Sequence, residues 1–161
     1  MTLGFTTESA DETSRAGEML GGLLRTGDVI ALAGDRGAGK TQLVKGVARA
    51  LGAGEPVTSP TFNLLLVHPG VLPLYHFDLY RLEREEDLED IAFFETLEGD
   101  GVSMVEWGDR FPGALPADHL LVTIHRIASE ERRFELAGTG ERSAALAGRW
   151  LDALDAERPP R

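Results

Sequence analysis

The sequence predicts an α/β protein of three layers, with a mainly parallel central sheet that also contains antiparallel hairpins. Three observations support this class. A short apolar strand, Val29–Ala33, leads through a glycine-rich loop into a helix over residues 41–51, which is the unit of a parallel sheet covered by helices. A second apolar run, 102–105, is typical of a strand buried on both faces. Alternating runs at 119–127 and 132–137 predict a hairpin.

The remaining elements follow from local periodicity and turn residues. Residues 5–7 are predicted to form a first strand, and Ser9 or Asp11 is predicted to cap the helix after it. The further predicted elements, in chain order, are strands at 63–67 and 72–78 joined by a turn at 68–70, helical turns at 91–97, and a last helix at 141–154. The run 83–90 carries six carboxylates. This run is predicted to be the solvated face of a short helix. The alternative, which is more specific, is a surface that binds a partner.

Composition sets the bounds on function. The 161 residues, 42% of them hydrophobic and 27% charged, predict a single domain over 1–161 with a frayed tail at 155–161. No cysteine is present, which excludes disulfides and thiolate metal sites. No apolar run approaches the roughly 20 residues that span a bilayer, and the first residues do not resemble a secretory signal. No membrane association is expected, and a cytoplasmic location is the default expectation.

The formal net charge of −11 bears on partners. A protein that grips nucleic acid directly needs clustered basic side chains to displace counterions from phosphates. We therefore expect any role in nucleic-acid chemistry to be exercised through a protein partner.

One loop carries the strongest functional signal. A glycine, four free positions and then Gly-Lys-Thr form the phosphate-loop pattern, here Gly34, Asp35, Arg36, Gly37, Ala38, Gly39, Lys40 and Thr41. Backbone N–H groups of such a loop surround phosphate oxygens, and the helix N-terminus adds partial positive charge. The pattern predicts a P-loop NTPase-like fold, in which Lys40 reaches the β- and γ-phosphates and Thr41 ligates Mg²⁺. Asp35 is expected to point outward, because its charge repels phosphates.

Two carboxylates are candidates for the metal and hydrolytic chemistry. Asp78 and Glu106 each end an apolar strand, where parallel sheets place their ligands. The alternative for either residue is a purely structural role, in which the carboxylate at the strand end accepts hydrogen bonds from backbone N–H groups. Trp107 is predicted either to cover the nucleotide or to belong to the core, and His76 to be a packed strand residue rather than a catalytic base. The segment Ser59-Pro60-Thr61 is a candidate switch region or an ordinary turn.

Together these residues resemble the TsaE family of small bacterial P-loop ATPases. The shared motifs are the phosphate loop, Ser59-Pro60-Thr61-Phe62, His76-Phe77-Asp78-Leu79-Tyr80-Arg81 and Glu106-Trp107. The resemblance implies a role in forming N6-threonylcarbamoyladenosine at position 37 of tRNA, with ATP and Mg²⁺ as cofactors. The resemblance also implies that the protein acts together with the TsaD–TsaB pair and contacts tRNA only indirectly, through that complex.

The resemblance also implies residue roles. Lys40, Asp78 and Glu106 are expected to be catalytic, and Thr41, Asp78 and Glu106 to form the magnesium environment. The expected nucleotide-binding residues are Asp35, Arg36, Gly37, Ala38, Gly39, Lys40, Thr41, Gln42 and Trp107. Near the nucleoside, the resemblance implies Thr7 or a neighbour and an arginine such as Arg132 or Arg133. Arg36 and Gln42 depart from the family, in which Leu and Thr are frequent at these positions.

Two other functions remain open. A small-molecule kinase uses the same phosphate loop, although no segment here resembles its arginine-bearing lid. A nucleotide-gated assembly factor could bind ATP without essential hydrolysis. A GTPase is disfavoured, because Asn63 is the only asparagine and no Asn-Lys-x-Asp guanine motif exists.

Overall fold

The computed structural model describes residues 3–35, 37–53 and 64–157, and its strands form one mixed sheet. The strands are β1 (Leu3–Thr7), β2 (Val29–Ala33), β3 (Leu65–His68), β4 (Leu74–Asp78), β5 (Val102–Glu106), β6 (Leu120–Arg126) and β7 (Arg132–Gly138). Their order across the sheet is β1-β7-β6-β2-β5-β4-β3. Strands β6, β2, β5 and β4 are parallel. β1–β7, β7–β6 and β3–β4 pair antiparallel. The predicted α/β class with a mainly parallel sheet and antiparallel hairpins is confirmed.

Helices cover the two faces of the sheet unequally. The helices are α1 (Ala10–Gly21), α2 (Lys40–Ala50), α3 (Phe93–Leu97) and α4 (Glu141–Glu157), with 3₁₀ turns at Glu85–Ile91 and Pro112–Ala114. α1, α2 and α4 pack on one face in the larger apolar cluster. α3 and the 3₁₀ turns pack on the other. Every residue of β2 and β5 is buried, as expected for strands covered on both sides. Among the described helices, none combines the length and apolar composition needed to cross a bilayer.

Glycines bring α1 and α2 close together. A Cβ on Gly46 would lie 1.9 Å from the Ser14 carbonyl oxygen, and one on Gly17 would lie 2.3 Å from that of Leu43. Side chains at these positions would separate the two backbones, so the crossing depends on glycine. The contact fixes α2, which begins at the phosphate loop, against the rest of the domain.

Several predicted boundaries are corrected. The last helix continues to Glu157 rather than ending at residue 154. Arg15 holds its end, with Nε 3.1 Å from the Glu157 carboxylate. The acidic run forms a 3₁₀ helix at Glu85–Ile91 in which Leu88 is the buried residue. One buried side chain does not provide the apolar stripe that stabilises a longer α-helix. β3 extends to His68, so the predicted turn begins one residue later.

Candidate functional site

The glycine loop between β2 and α2 has a backbone that only glycine adopts readily. Gly34, Gly37 and Gly39 have φ angles of 129°, 76° and 113°, in the left-handed region that side chains disfavour. At Gly34 a Cβ would also lie 2.4 Å from the Ile124 carbonyl oxygen. Gly39 precedes the first residue of α2 and provides no side-chain cap. A helix N-terminus of this kind offers backbone N–H groups to an anion.

Lys40 is the first residue of α2 and is held over the loop. Its Nζ donates to the carbonyl oxygens of Gly34 and, at 3.2 Å, of Asp35. The same ammonium lies 4.0 Å from the centre of the Trp107 ring. Burial lowers the pKa of Lys40, and the nearby carboxylates of Glu106 and Asp78 oppose that shift. The partly desolvated ammonium of Lys40 therefore lies where the phosphate-loop motif predicts the phosphate groups. Asp35 is exposed, as expected.

The two predicted carboxylates are neighbours at the carboxyl ends of adjacent strands. Asp78 pairs with Glu106 in the parallel register of β4 and β5. Glu106 also pairs with Leu32 of β2, the strand that leads into the loop. Because side chains alternate between faces, both carboxylates share the α2 face with Leu74 and Met104, which belong to the α2-side cluster. The register thus brings both candidates beside Lys40.

The surroundings of the carboxylates are those of a partly desolvated acidic pair. Burial raises the pKa of Asp78. The Tyr80 N–H, which donates to the Asp78 carboxylate, lowers that pKa, and the negative charge of Glu106 raises it. The Tyr80 bond is 3.0 Å long. Glu106 is 4% exposed, and its Oε2 lies 2.5 Å from His76 Nε2.

This donor set fits Mg²⁺. The ion takes one or two carboxylates, completing its shell with water and substrate phosphates rather than with a full protein cage. Asp78, Glu106 and Thr41 all line one cavity. The described part of the chain holds no cluster of three or more His, Asp or Glu side chains arranged for a metal.

Two cavities adjoin the loop. The larger, of about 570 Å³, is lined by Gly37, Gly39, Lys40, Thr41, Gln42, Asp78, Tyr80, Arg81, Glu106 and Trp107. The smaller, of about 250 Å³, is lined by Ser9, Ala10, Thr13, Gly39, Gln42, Ser129, Glu130 and Arg132. Both include Gly39 and Gln42, so they flank the start of α2. The larger volume lies within the roughly 300–1,000 Å³ typical of small-molecule sites.

Arg132, one of the residues assigned to the nucleoside, lines the smaller cavity. Arg132 donates to the carbonyl oxygens of Ala128 and Ser129 at 2.9 and 3.2 Å, and to Gly37 at 3.4 Å. The guanidinium therefore links the β6–β7 turn to the loop. Thr7 is 4% exposed. Its hydroxyl lies 2.7 Å from that of Thr13, which lines the cavity, so Thr7 is linked to the cavity through Thr13.

Trp107 lies at the border between the candidate site and the apolar core. It lines the larger cavity and is also partly buried against the cluster beneath the sheet. Its φ of 60° is unusual for a bulky residue. The ring contacts Tyr80 with centroids 5.0 Å apart. Trp107 thus forms part of the cavity wall beside Lys40.

The structure brings together most of the predicted site. Sequence reasoning missed Tyr80 and Arg81 as lining residues and the contact of His76 with Glu106. His76, Tyr80 and Arg81 all belong to the His-Phe-Asp-Leu-Tyr-Arg motif, which could have pointed to them, but only Asp78 of that motif was assigned a role in the site. Arg36 and Ser59-Pro60-Thr61 lie outside the described residues.

The β2–loop–α2 unit, the parallel core and the strand-end carboxylates define a P-loop NTPase-like α/β protein. Residues 7–134 match the family model described as "Threonylcarbamoyl adenosine biosynthesis protein TsaE". The chain belongs to the TsaE family.

Individual relatives agree with this assignment. The TsaE protein of Treponema pallidum is 44% identical over 129 residues, covering 80% of this chain and 96% of the relative. That of Bacillus subtilis is 39% identical over 145 residues, covering 89% and 90%. Both are named tRNA threonylcarbamoyladenosine biosynthesis protein TsaE. The crystal structure of Bacillus subtilis YdiB superposes with a TM-score of 0.79 at 31% identity, covering 95% of this chain and 96% of that one.

Proposed function

We propose that this chain binds ATP with Mg²⁺ at the loop and hydrolyses it as a subunit of the machinery that forms N6-threonylcarbamoyladenosine at position 37 of tRNA. One observation carries the proposal. Lys40, Asp78 and Glu106 come from three separate elements and line a single cavity at the N-terminus of α2. The family assignment supports the pathway, since the family is described by threonylcarbamoyl adenosine biosynthesis.

The chain's own residues divide the work of phosphoryl transfer to water. The loop N–H groups and Lys40 bind and orient the β- and γ-phosphates, exchanging the ammonium's carbonyl contacts for phosphate oxygens. Thr41, Asp78 and Glu106 hold Mg²⁺, which, when bound, neutralises charge that develops on the phosphates. Glu106 and Asp78, which line the cavity, are proposed to order the attacking water. Trp107 lines the same cavity and is proposed to cover the nucleotide.

The smaller cavity is proposed for the nucleoside. It adjoins the same helix start at Gln42, on the side away from the strand-end carboxylates. Arg132 already contacts the loop there and offers a planar cation to ribose or base. Ser9 and Thr13 add hydroxyl groups that can accept or donate hydrogen bonds.

We propose the TsaD–TsaB pair as the protein partner, with tRNA engaged only through that complex and no membrane involved. The net charge of −11 supports an indirect role, because the chain's field repels a polyanion. Location in the cytoplasm, where tRNA is modified, is part of the same proposal.

The test is phosphate release from ATP by the full chain, alone and with a TsaD–TsaB pair, in Mg²⁺ and in EDTA. We expect slow Mg²⁺-dependent release that the pair stimulates and that Glu106→Ala abolishes. Consumption of ATP only after a small-molecule acceptor is added would indicate a kinase. Full multiple-turnover tRNA modification by Glu106→Ala would indicate a nucleotide-gated assembly factor.

A further inference from the structure

A buried histidine contacts one of the site carboxylates. His76 lies in the middle of β4 and is fully buried, and Glu106 ends β5 with 4% exposed. Their Nε2 and Oε2 atoms are 2.5 Å apart. His76 pairs with Met104 in the register that pairs Asp78 with Glu106. The imidazole therefore lies diagonally beside Glu106 on the same face of the sheet.

Packing alone does not account for this histidine. Burying an imidazole costs free energy unless its nitrogens are hydrogen-bonded. Within the described ranges, His76 Nδ1 has no hydrogen-bond partner, so the polar bonding of the ring goes to Glu106. An apolar side chain would fill the same space without that cost. Nε2, the ring nitrogen that has a hydrogen-bond partner, is the atom that contacts the site residue Glu106.

The bond restrains a flexible side chain at the point where its orientation matters. An ionised carboxylate only accepts hydrogen bonds, so His76 Nε2–H donates to Glu106 Oε2. A charge-assisted bond of this kind fixes one oxygen and leaves the other, Oε1, as the atom available to a ligand in the cavity. Carboxylates and histidines that bind metals are commonly oriented by such neighbours, and losing the neighbour typically costs roughly tenfold to a hundredfold in metal affinity or activity.

We propose that His76 is a positioning residue, whose Nε2–H holds the Glu106 carboxylate in the orientation that Mg²⁺ binding and water attack require. The inference deepens the proposed ATPase function and rests on it. The bond itself does not depend on that function, so it can be measured separately.

The first measurement is the proton NMR spectrum of the full chain. A buried imidazole N–H bonded to a carboxylate gives a downfield, slowly exchanging resonance. We expect one such resonance that disappears in His76→Gln, shifts in Glu106→Gln and remains in His68→Gln. His68 is a matched control, because it is a second buried histidine whose ring lies 6.0 Å from that of His76. A resonance unaffected by Glu106→Gln would contradict the bond.

The second measurement compares His76→Leu with His76→Gln. Leu removes the donor, whereas the Gln amide N–H can occupy a position close to Nε2. We expect His76→Leu to lower kcat and Mg²⁺ affinity by about tenfold to a hundredfold, with metal-free nucleotide affinity and KM nearly unchanged. His76→Gln should recover most of the loss, and His68→Leu should stay within about twofold of the wild type.

The outcomes separate the alternatives. Equal losses in His76→Leu and His76→Gln, or no loss in either, would overturn the positioning role. A parallel loss of metal-free nucleotide affinity and thermal stability in His76→Leu would show a packing role and overturn it as well. If the wild type hydrolyses no ATP even with its partner pair, the proposed function fails. Mg²⁺ affinity and the NMR resonance then still decide whether His76 orients Glu106.

Discussion

The ammonium of Lys40 lies 4.0 Å from the centre of the Trp107 ring, in the electrostatically negative region over an indole face. The same ammonium donates to the loop carbonyls of Gly34 and Asp35. Under the proposed function, phosphate oxygens at the N-terminus of α2 compete for the same donor. If the loop binds nucleotide as proposed, we expect binding to break the contact between Lys40 and Trp107.

This coupling predicts an intrinsic optical signal. Adding ADP or ATP should change Trp107 fluorescence, because the cation leaves the ring. The other tryptophan, Trp150, is fully buried and donates to the Ala16 carbonyl at 2.9 Å, so it should not respond. Steady-state titration checks the prediction, with Trp107→Phe as the control. A change of similar size in Trp107→Phe would show that the signal does not come from this contact.

The close crossing of α1 and α2 predicts opposite effects for two helical Gly→Ala changes. Gly46→Ala should lower the free energy of unfolding by about 1–3 kcal/mol, because its Cβ would meet the Ser14 carbonyl oxygen at 1.9 Å. In α4, nothing within 4 Å meets a Cβ on Gly148. Gly148→Ala should raise stability by up to about 1 kcal/mol through helix propensity. Denaturant unfolding measures both, and equal effects would contradict the packing.

Asp78 should matter more for the metal than for the nucleotide. Asp78→Asn keeps an acceptor for the Tyr80 N–H but removes the charge, so Mg²⁺-dependent hydrolysis should fall roughly tenfold to a hundredfold. Metal-free nucleotide affinity should change little. Asp109→Asn is the control, since Asp109 acts on Lys40 electrostatically but is exposed. Equal loss of hydrolysis and metal-free binding in the Asp78 variant would remove its assigned role.

His68 predicts a pH dependence of stability. Burial lowers the pKa of His68, and the neighbouring His76 lowers it further. The folded chain then binds fewer protons at this site than the unfolded chain, so its stability should fall as the pH drops below the usual histidine value of about 6.5. Urea unfolding at about pH 7.5 and about pH 5.5 measures the decline. His68→Gln should reduce it, and an unchanged decline would exclude His68 as its source.

The parts of the site that depend on local sequence could be predicted. The strand Val29–Ala33 is apolar throughout and was placed with its observed bounds. The glycine spacing identified the loop because positive φ at Gly37 and Gly39 is a local backbone requirement. The helix cap at Ser9 was also predicted as one of two candidates, and its side chain accepts from the Glu12 N–H.

Contacts that depend on strand register could not be predicted. The pattern of apolar residues shows that His76 lies on a strand, but not which β5 residue stands beside it. A shift of one residue would turn Glu106 to the opposite face. The extension of α4 to Glu157 likewise depends on a tertiary contact, its pairing with Arg15 142 residues earlier in the chain. Neither relation leaves a signal in local periodicity.

Calorimetric titration of ATP into the full chain with Mg²⁺ tests directly whether the loop at the start of α2 is the ATP site. We expect one nucleotide per chain, with Lys40→Ala weakening affinity by about tenfold to a hundredfold, the scale of one hydrogen bond to a charged group. Lys45→Ala, on the same helix, should leave affinity unchanged. Absence of binding to the wild type, or equal binding by Lys40→Ala, would contradict the assignment of this loop as the ATP site.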